Sequence, residues 1–526
     1  MHADLLLTNA RLYPMSRRPP AGADSVACRH GRILALGAAA ELAPLRARRT
    51  EVVDLGGRLL LPGFWDCHLH LVWHGLLQNE WLDLRGARSL REAQERLRLF
   101  AQSHPRGPLY GQGFNKNEWP GDRFPTRADL DTVVPDRPVV LDSKDAHTSW
   151  CNSAALAQAR VGSETPDPPG GRVERDTQGE PTGILLENAK GLVAHLIPSP
   201  TSAALHRAAR AAQEQLHSHG VVGVHNCEGS RELQALQELS LRDCLRLRVV
   251  QHLRPADLAA AQQLGLYGSY GSEWVRLGSV KCFLDGALGS QTAAFLEPYV
   301  SRPGYAGLPT MTGEELEQLA RRARPRFGLA VHAIGDRANR VALDVFGRLP
   351  RRGPRQRIEH AQHLAPEDVP RFARLGVIAS MQPLHLVADM AVAEKHLGPE
   401  RCPGAYAISS LLRHGTHVCF GSDAPVEDPS PLRAIHAAVT RLGPDGRPSA
   451  GWQPQERITV EQALRGYTVE AAYAAGLEAE SGTIEPGKWA DLVALSTDIT
   501  QAGPEEIPAA CADLTVVAGR VVHTHL

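Results

Sequence analysis

The chain has 526 residues, 43% hydrophobic and 22% charged, with a formal net charge of -1 and a pI near 7.1. This near-neutral balance excludes a global pull toward nucleic acid or an anionic membrane, and no run approaches the ~18 consecutive apolar residues of a membrane-spanning helix. At roughly 150 residues per domain the length predicts about three domains, although one α/β barrel can absorb ~250. The nine cysteines have no C-x-x-C spacing, and no apolar signal segment follows Met1-His2-Ala3-Asp4. A reducing, cytoplasmic location is therefore expected.

In chain order, the first sixty residues read as short strands divided by turns: Asp4–Thr8, Ser25–Cys28 and Arg32–Leu36. The last fifty repeat the style with Asp491–Leu495 and Leu514–Ala518. Neither piece is large enough to bury a core alone, so the two are expected to pair. Residues 1–60 with 478–526 are assigned to one small β-sandwich domain. Between them, apolar strands alternate with helical patterns at Leu59–Phe64, Val221–His225, Leu245–Val250, Val280–Leu284, Leu329–His332, Arg357–His360, Val377–Met381 and His417–Gly421. Eight parallel strands with crossover helices predict an α/β fold with a closed (β/α)8 barrel over 61–75 and 206–477. The Pro- and Gly-rich stretch 76–205 breaks that rhythm. It is read as a domain inserted after the first strand, covering the active-site face.

The chemistry sits where the barrel strands end. In Leu61-Pro62-Gly63-Phe64-Trp65-Asp66-Cys67-His68-Leu69-His70, strand alternation points His68 and His70 to one face, where both can reach one ion. Cys67 points the other way and is read as packing. Lys281, His332, His360 and Asp423 also interrupt or close apolar strands. One histidine alone is more often a satisfied buried imidazole; four with an aspartate and a lysine are read as a metal site. Lys281 is one of only six lysines, and an ammonium buried in an apolar strand is costly unless it pairs with Asp285 or snorkels to solvent. Its condensation with CO2 would give an anionic carbamate able to bridge two cations. A second H-x-H, His523 and His525, is read as a surface tail.

These motifs, with Lys281 through Thr292, His332-Ala333-Ile334-Gly335-Asp336-Arg337, Arg357-Ile358-Glu359-His360-Ala361-Gln362, Gly421-Ser422-Asp423-Ala424-Pro425 and Gly487-Lys488-Trp489-Ala490-Asp491-Leu492, run through nearly the whole chain. It resembles the amidohydrolase superfamily, specifically the amidohydrolase-3 (YtcJ-like) branch that includes N-substituted formamide deformylase. The resemblance implies a distorted barrel with one or two divalent metals, usually Zn2+. It places His68 and His70 on the first metal, His332 and His360 on the second, a carbamate on Lys281 between them, and Asp423 as metal contact and proton shuttle. It implies a metal-dependent hydrolase of non-peptide C–N bonds, acting on a small amide such as an N-substituted formamide. The alternatives are a cyclic amide hydrolase or deaminase using the same centre, and a non-catalytic scaffold. It also implies a homodimer, while the charge distribution gives no support for a nucleic-acid or membrane partner. In the insertion, Asn115, His147 and Glu187 are candidate substrate contacts. Asn115 stands where relatives more often carry Asp, and Ala146 where they carry Gly.

Overall fold

The computed structural model describes residues 2–16, 21–121 and 123–526. Its largest sheet has eight parallel strands: β1 (Phe64–Leu69), β2 (Val221–Asn226), β3 (Arg248–Leu253), β4 (Val275–Phe283), β5 (Leu329–Ala333), β6 (Arg357–His360), β7 (Ile378–Met381) and β8 (Val418–Phe420). They lie side by side in chain order. The ends meet just past β8, where the Asp423 N–H donates to the His68 carbonyl at 2.6 Å and the His70 N–H to the Ala424 carbonyl at 2.8 Å. The result is the TIM-like barrel expected from the alternation of strands and helices.

Several strands are displaced from their expected places. The run Leu59–Phe64 is not one barrel strand: Leu59–Pro62 pairs antiparallel with Leu492–Leu495 in another sheet, and β1 begins only at Phe64. The Gly63 N–H donates to Asp491 O at 2.9 Å and the Phe64 N–H to Gly220 O at 3.0 Å, so the chain changes sheets between these residues. A Cβ on Gly63 would lie 2.4 Å from a Val222 methyl, so only glycine fits the switch. The strand expected at Leu245–Val250 lies three residues further on, at Arg248–Leu253. β4 starts earlier than expected and runs for nine residues.

Strands from both chain ends form a four-stranded sheet (Arg32–Gly37, Ser25–Arg29, Leu5–Thr8, Glu51–Asp54) and a five-stranded sheet (Arg11–Leu12, Leu59–Pro62, Leu492–Leu495, Ala512–Val517, Arg520–Thr524). Their alternate residues, among them Leu5, Leu7, Val26, Leu60, Leu492, Ala494 and Val516, bury one common core. His523 belongs to the last of these strands, which corrects its reading as a tail: Thr515 is its partner in the ladder. The sheets are bolted to the barrel by Arg248 of β3. Its buried guanidinium lies 3.7 Å above the Trp489 ring and pairs with the buried Asp491 carboxylate. The closing Trp489-Ala490-Asp491 is thus a docking motif.

Residues between β1 and β2 form a six-stranded mixed sheet in the order Gly171–Arg175, Pro181–Glu187, Thr148–Cys151, Val139–Ser143, Leu109–Phe114, Leu82–Asp83. One of its faces carries a core of Phe114, Trp119, Leu141 and Trp150. Its loops reach the mouth of the barrel.

Candidate metal centre and active-site cavity

His68 lies in β1 and His70 just beyond it, at the head of the helix Leu71–Asn79. That helix start is held by polar side chains after β2. Asn226 Oδ1 accepts the Leu71 N–H at 2.9 Å, and the Glu228 carboxylate accepts those of Val72 (3.1 Å) and Trp73 (2.6 Å). Burial pushes the Glu228 carboxyl up to about 7. Trp73 stacks on the His70 ring at 5.2 Å. As the alternation predicts, both imidazoles converge: His68 Nε2 and His70 Nε2 each lie 3.5 Å from Asp423 Oδ1.

Asp423 is placed by the turn after β8. Asp66 Oδ1 accepts the N–H groups of His68 (3.1 Å) and Ser422 (3.0 Å), and its other oxygen accepts the Ser422 hydroxyl at 2.5 Å. A Cβ at Gly421 would approach His68 N to 2.5 Å, so this close crossing requires glycine. Asp423 has φ +59° and His360 φ +73°, a region costing an ordinary residue about 1–2 kcal/mol. At His360 the reason is visible. Alternation gives one face to Arg357 and Glu359, and the left-handed turn at the next residue brings the His360 ring back toward His68, with centroids 4.9 Å apart.

Donor atoms of His68, His360 and Asp423 lie within 4.8 Å of one another. The hydrogen bonds fix which nitrogens are free. His68 donates Nδ1–H to Glu359 Oε2 at 2.6 Å, and His360 donates Nδ1–H to Gln382 Oε1 at 2.8 Å, leaving both Nε2 lone pairs bare. His332 donates Nε2–H to the Gly286 carbonyl at 3.1 Å, which leaves Nδ1 bare. Its ring is 4.4 Å from that of His360. Burial lowers the pKa of His68 and holds His332 and His360 well below the ordinary imidazole range, so all three are neutral ligands at neutral pH. Burial alone would raise the Asp423 carboxyl, but the adjoining His68 and His70 imidazoles outweigh it and hold it ionised.

A bare His68 Nε2 therefore faces a carboxylate oxygen in a buried site. Two electron-rich atoms placed so repel each other unless a cation lies between them, and neutral imidazole with carboxylate is the donor set of a divalent metal. The residues fit the ion. Behind them, Glu359 is buried against Arg357 (2.5 Å), whose guanidinium also reaches His225 Nδ1 (2.7 Å), the Cys67 carbonyl (2.8 Å) and Ser380 Oγ (2.7 Å). Burial would raise the Glu359 carboxyl, but Arg357 and His68 hold it well below the usual range.

Lys281 is buried at 4% exposure on β4, facing the same cavity. It neither pairs with Asp285 nor snorkels. Its Nζ lies 3.9 Å over the Phe283 ring, while Asp285 accepts the N–H groups of Ile334, Gly335 and Ala294 at 2.8–3.0 Å. From the insertion, His147 donates Nδ1–H to Glu187 Oε2 at 2.8 Å and its ring lies 5.0 Å from that of His332. Glu187 Oε1 is buried without a hydrogen-bond partner among the described residues. Burial would lower the His147 pKa, but the Glu187 and Asp145 carboxylates together outweigh it, so the ring is the more readily protonated. Asn115 is on the wall of an outer cavity, but its amide is engaged locally: it donates to Glu118 at 2.8 Å and accepts from the Asn117 N–H at 3.1 Å. Ala146 has φ +61°, a conformation glycine adopts without cost.

The inner cavity, about 140 Å³, is lined by the four histidines, Lys281 and Asp423 from the barrel and by Gln112 and His147 from the insertion. The outer one shares His147, His332, His360 and Asp423 with it and runs along the helix Pro383–Leu397. That helix supplies His385, absent from the sequence reading, whose Nε2 lies 3.8 Å from Asp423 Oδ2. Glu359 is also absent from that reading, because alternation in Arg357–His360 sets this residue on the face opposite to His360. Nothing in the helix pattern marks His385.

A TIM-like barrel with imidazole and carboxylate donors converging at its mouth defines the metal-dependent hydrolase class. The amidohydrolase family model Amidohydro_3 matches residues 51–523, and the chain belongs to that family. It is 36% identical over 520 residues to Protein LONG AFTER FAR-RED 3 of Arabidopsis thaliana, covering 94% of this chain and 88% of that one. Putative amidohydrolase YtcJ of Bacillus subtilis is 33% identical over 488 residues, with 90% of each chain covered. N-substituted formamide deformylase of Arthrobacter pascens is 29% identical over 530 residues, with 94% of each covered. Among solved structures, an uncharacterized metal-dependent hydrolase from Pyrococcus furiosus superposes with a TM-score of 0.74 at 31% identity, over 94% of this chain and 100% of that one.

Proposed function

We propose that this chain is a metal-dependent hydrolase of non-peptide C–N bonds, with small N-substituted amides, formamides first among them, as substrates. The observation that carries the reading is the bare His68 Nε2 facing the Asp423 carboxylate at 3.5 Å, with its Nδ1 locked to Glu359. His68, His70, His332, His360 and Asp423 would hold one or two divalent ions. Neutral imidazoles with carboxylate favour Zn2+. A cation bound there acidifies water and polarises the scissile carbonyl. Lys281 has Phe283 rather than a carboxylate beside its amine. Condensation of that ammonium with CO2, releasing two protons, would replace the buried positive charge by an anionic carbamate, whose oxygens are the kind of donor a divalent metal takes.

Asp423, ionised and within reach of His70 and His385, takes the proton of the attacking water and passes it to the departing nitrogen, which leaves poorly until protonated. His147, aligned by Glu187, faces the same space and hydrogen-bonds the substrate. The insertion contributes Gln112, Asp145 and His147 to the cavity wall. The similarity to N-substituted formamide deformylase over the whole chain supports the formamide choice. All nine cysteines are free and seven are buried, which supports a reducing cytoplasm as the site of action, and a homodimer is the assembly proposed from the resemblance.

The test is amine release from a panel of N-substituted formamides, longer acyl amides and cyclic amides by the zinc-supplied protein, with Asp423→Asn as the comparison. Formate and amine from the formamides, falling about 10²–10⁴-fold in Asp423→Asn, is the expected result. Hydrolysis confined to cyclic amides would overturn the substrate, and wild-type turnover in Asp423→Asn would remove Asp423 from the mechanism.

A further inference from the structure

The outer cavity carries a carboxylate that the hydrolytic reaction does not use. Asp389 lies four residues after His385 on the helix Pro383–Leu397, so the two share one face about one turn, or ~5–6 Å, apart. His385 Nε2 is 3.8 Å from Asp423 Oδ2, and Asp389 stands one turn further along the same wall. One Asp389 oxygen, Oδ2, is fixed by two donors, Gln362 Nε2 at 2.5 Å and the Tyr406 hydroxyl at 2.6 Å. Its other oxygen accepts no hydrogen bond among the described residues. A carboxylate anchored by one oxygen and open at the other is a preorganised acceptor.

Independently, His385 Nε2 in the same wall is buried without a hydrogen-bond partner among the described residues, in a residue only 9% exposed. A buried polar atom left so is completed by something that enters the cavity. The charges are unequal. Leaving Asp423 to the metal, the outer cavity has three carboxylates, Asp145, Asp389 and Glu427, against two lysines, Lys116 and Lys144, and the His147 ring, which is already paired with Glu187. Lys144 is committed to Glu427 at 2.5 Å, and the Lys116 amine is engaged by Asn117 Oδ1 at 2.9 Å. Burial raises the Asp389 carboxyl pKa, a cost that a bound cation would relieve.

We propose that Asp389 is a specificity residue that binds a protonated amino group at the far end of the substrate's N-substituent, so that the preferred substrates are amides of diamines. Phe114, Leu288 and Val392 give the same cavity apolar surface against which a methylene linker packs. The inference rests on the hydrolase reading for which amide is cleaved, but the binding itself can be read without turnover.

The probes are two ligands of equal length, 1,4-diaminobutane and 1-aminopentane, titrated calorimetrically into the zinc-loaded protein. The matching amides, N-(4-aminobutyl)formamide and N-pentylformamide, are compared by KM. The diamine is expected to bind about tenfold or more tightly than the monoamine, as for a hydrogen bond to a charged group. Asp389→Asn should abolish that preference, in binding and in KM alike, and Asp389→Ser is the second variant should the first fail to fold. If neither amide is cleaved while the Asp389-dependent preference stands, the hydrolytic reading fails and the amine site survives. Equal binding of the two amines by the wild type, or a preference that persists in both variants, overturns the proposal.

Discussion

Replacing Glu359 by Gln tests the link between the barrel interior and the metal centre. Glu359 is fully buried, accepts His68 Nδ1–H at 2.6 Å and holds Arg357 at 2.5 Å. The amide still accepts from the imidazole, but as a neutral partner it no longer raises the basicity of Nε2. Loss of such an outer partner weakens metal binding about 10–100-fold, or about 1.4–2.8 kcal/mol. The substitution also leaves the Arg357 guanidinium buried with only His225, the Cys67 carbonyl and Ser380, which costs stability by about 3–5 kcal/mol. The two effects are separable. In Arg357→Met with Glu359→Gln the stranded charge is gone, so the melting temperature should recover toward wild type while metal affinity stays low. Zinc competition against a chromophoric chelator, with the visible spectrum of the Co2+-loaded protein as reporter of His68 geometry, reads the affinity. Wild-type affinity and spectrum in a folded Glu359→Gln protein would refute the argument that this carboxylate sets His68.

Three further outcomes follow from the geometry. Removing the ion with a chelator should abolish turnover and lower the melting temperature, since an ion present at about 100 times its Kd stabilises by about 2.7 kcal/mol; a melting curve indifferent to zinc would mean that the cluster holds none. His147 has its folded pKa raised above 6.5 by Glu187, so the pair's stabilisation is complete below pH 6.5 and is lost as pH rises through the folded value. The melting-temperature gap between wild type and Glu187→Gln should therefore narrow as pH climbs from about 6 to 9, and a gap that widens would reverse the assignment. Gly286→Ala would set a Cβ 1.9 Å from Glu187 Oε1 and 2.1 Å from Thr292 Oγ1, so it should destabilise by about 1–3 kcal/mol and raise KM by displacing His147; unchanged values of both would show that the cradle is slack.

The barrel and its mouth were legible because metal chemistry demands particular residue types in places where apolar strands exclude them. His68, His332 and His360 stand out against Leu, Val and Ile neighbours, Asp423 follows directly on an apolar strand, and the structure brings their side chains together. The start of β1 was not legible. Leu59 to Trp65 has no charged residue to mark a boundary, and tertiary pairing, Gly63 to Asp491 and Phe64 to Gly220, divides it between two sheets at Pro62-Gly63. Glu359 was hidden by alternation itself. A strand that presents Arg357 and Glu359 to one face should turn His360 away, and the backbone reversal at φ +73° that reconciles them leaves no mark in the residue types.

The wall that faces the substrate was less legible for a related reason. A metal site is specified by donor atoms, of which few residue types supply suitable ones, whereas a cavity wall is specified by shape, which many sequences satisfy. His385 and Asp389 lie in a helix of mostly apolar residues with no periodic pattern to mark them, and what singles them out is the company of Asp423, Gln362 and Tyr406 from three other parts of the chain. The departures at Asn115 and Ala146 point the same way. Asn115 spends its amide on a local turn and Ala146 accepts a left-handed backbone, so both act through the course of the insertion loops. Substrate choice in this chain is therefore set by how the inserted sheet and the helix after β7 are held over a barrel mouth whose ligands are fixed from beneath by Asp66, Glu359 and Gln382.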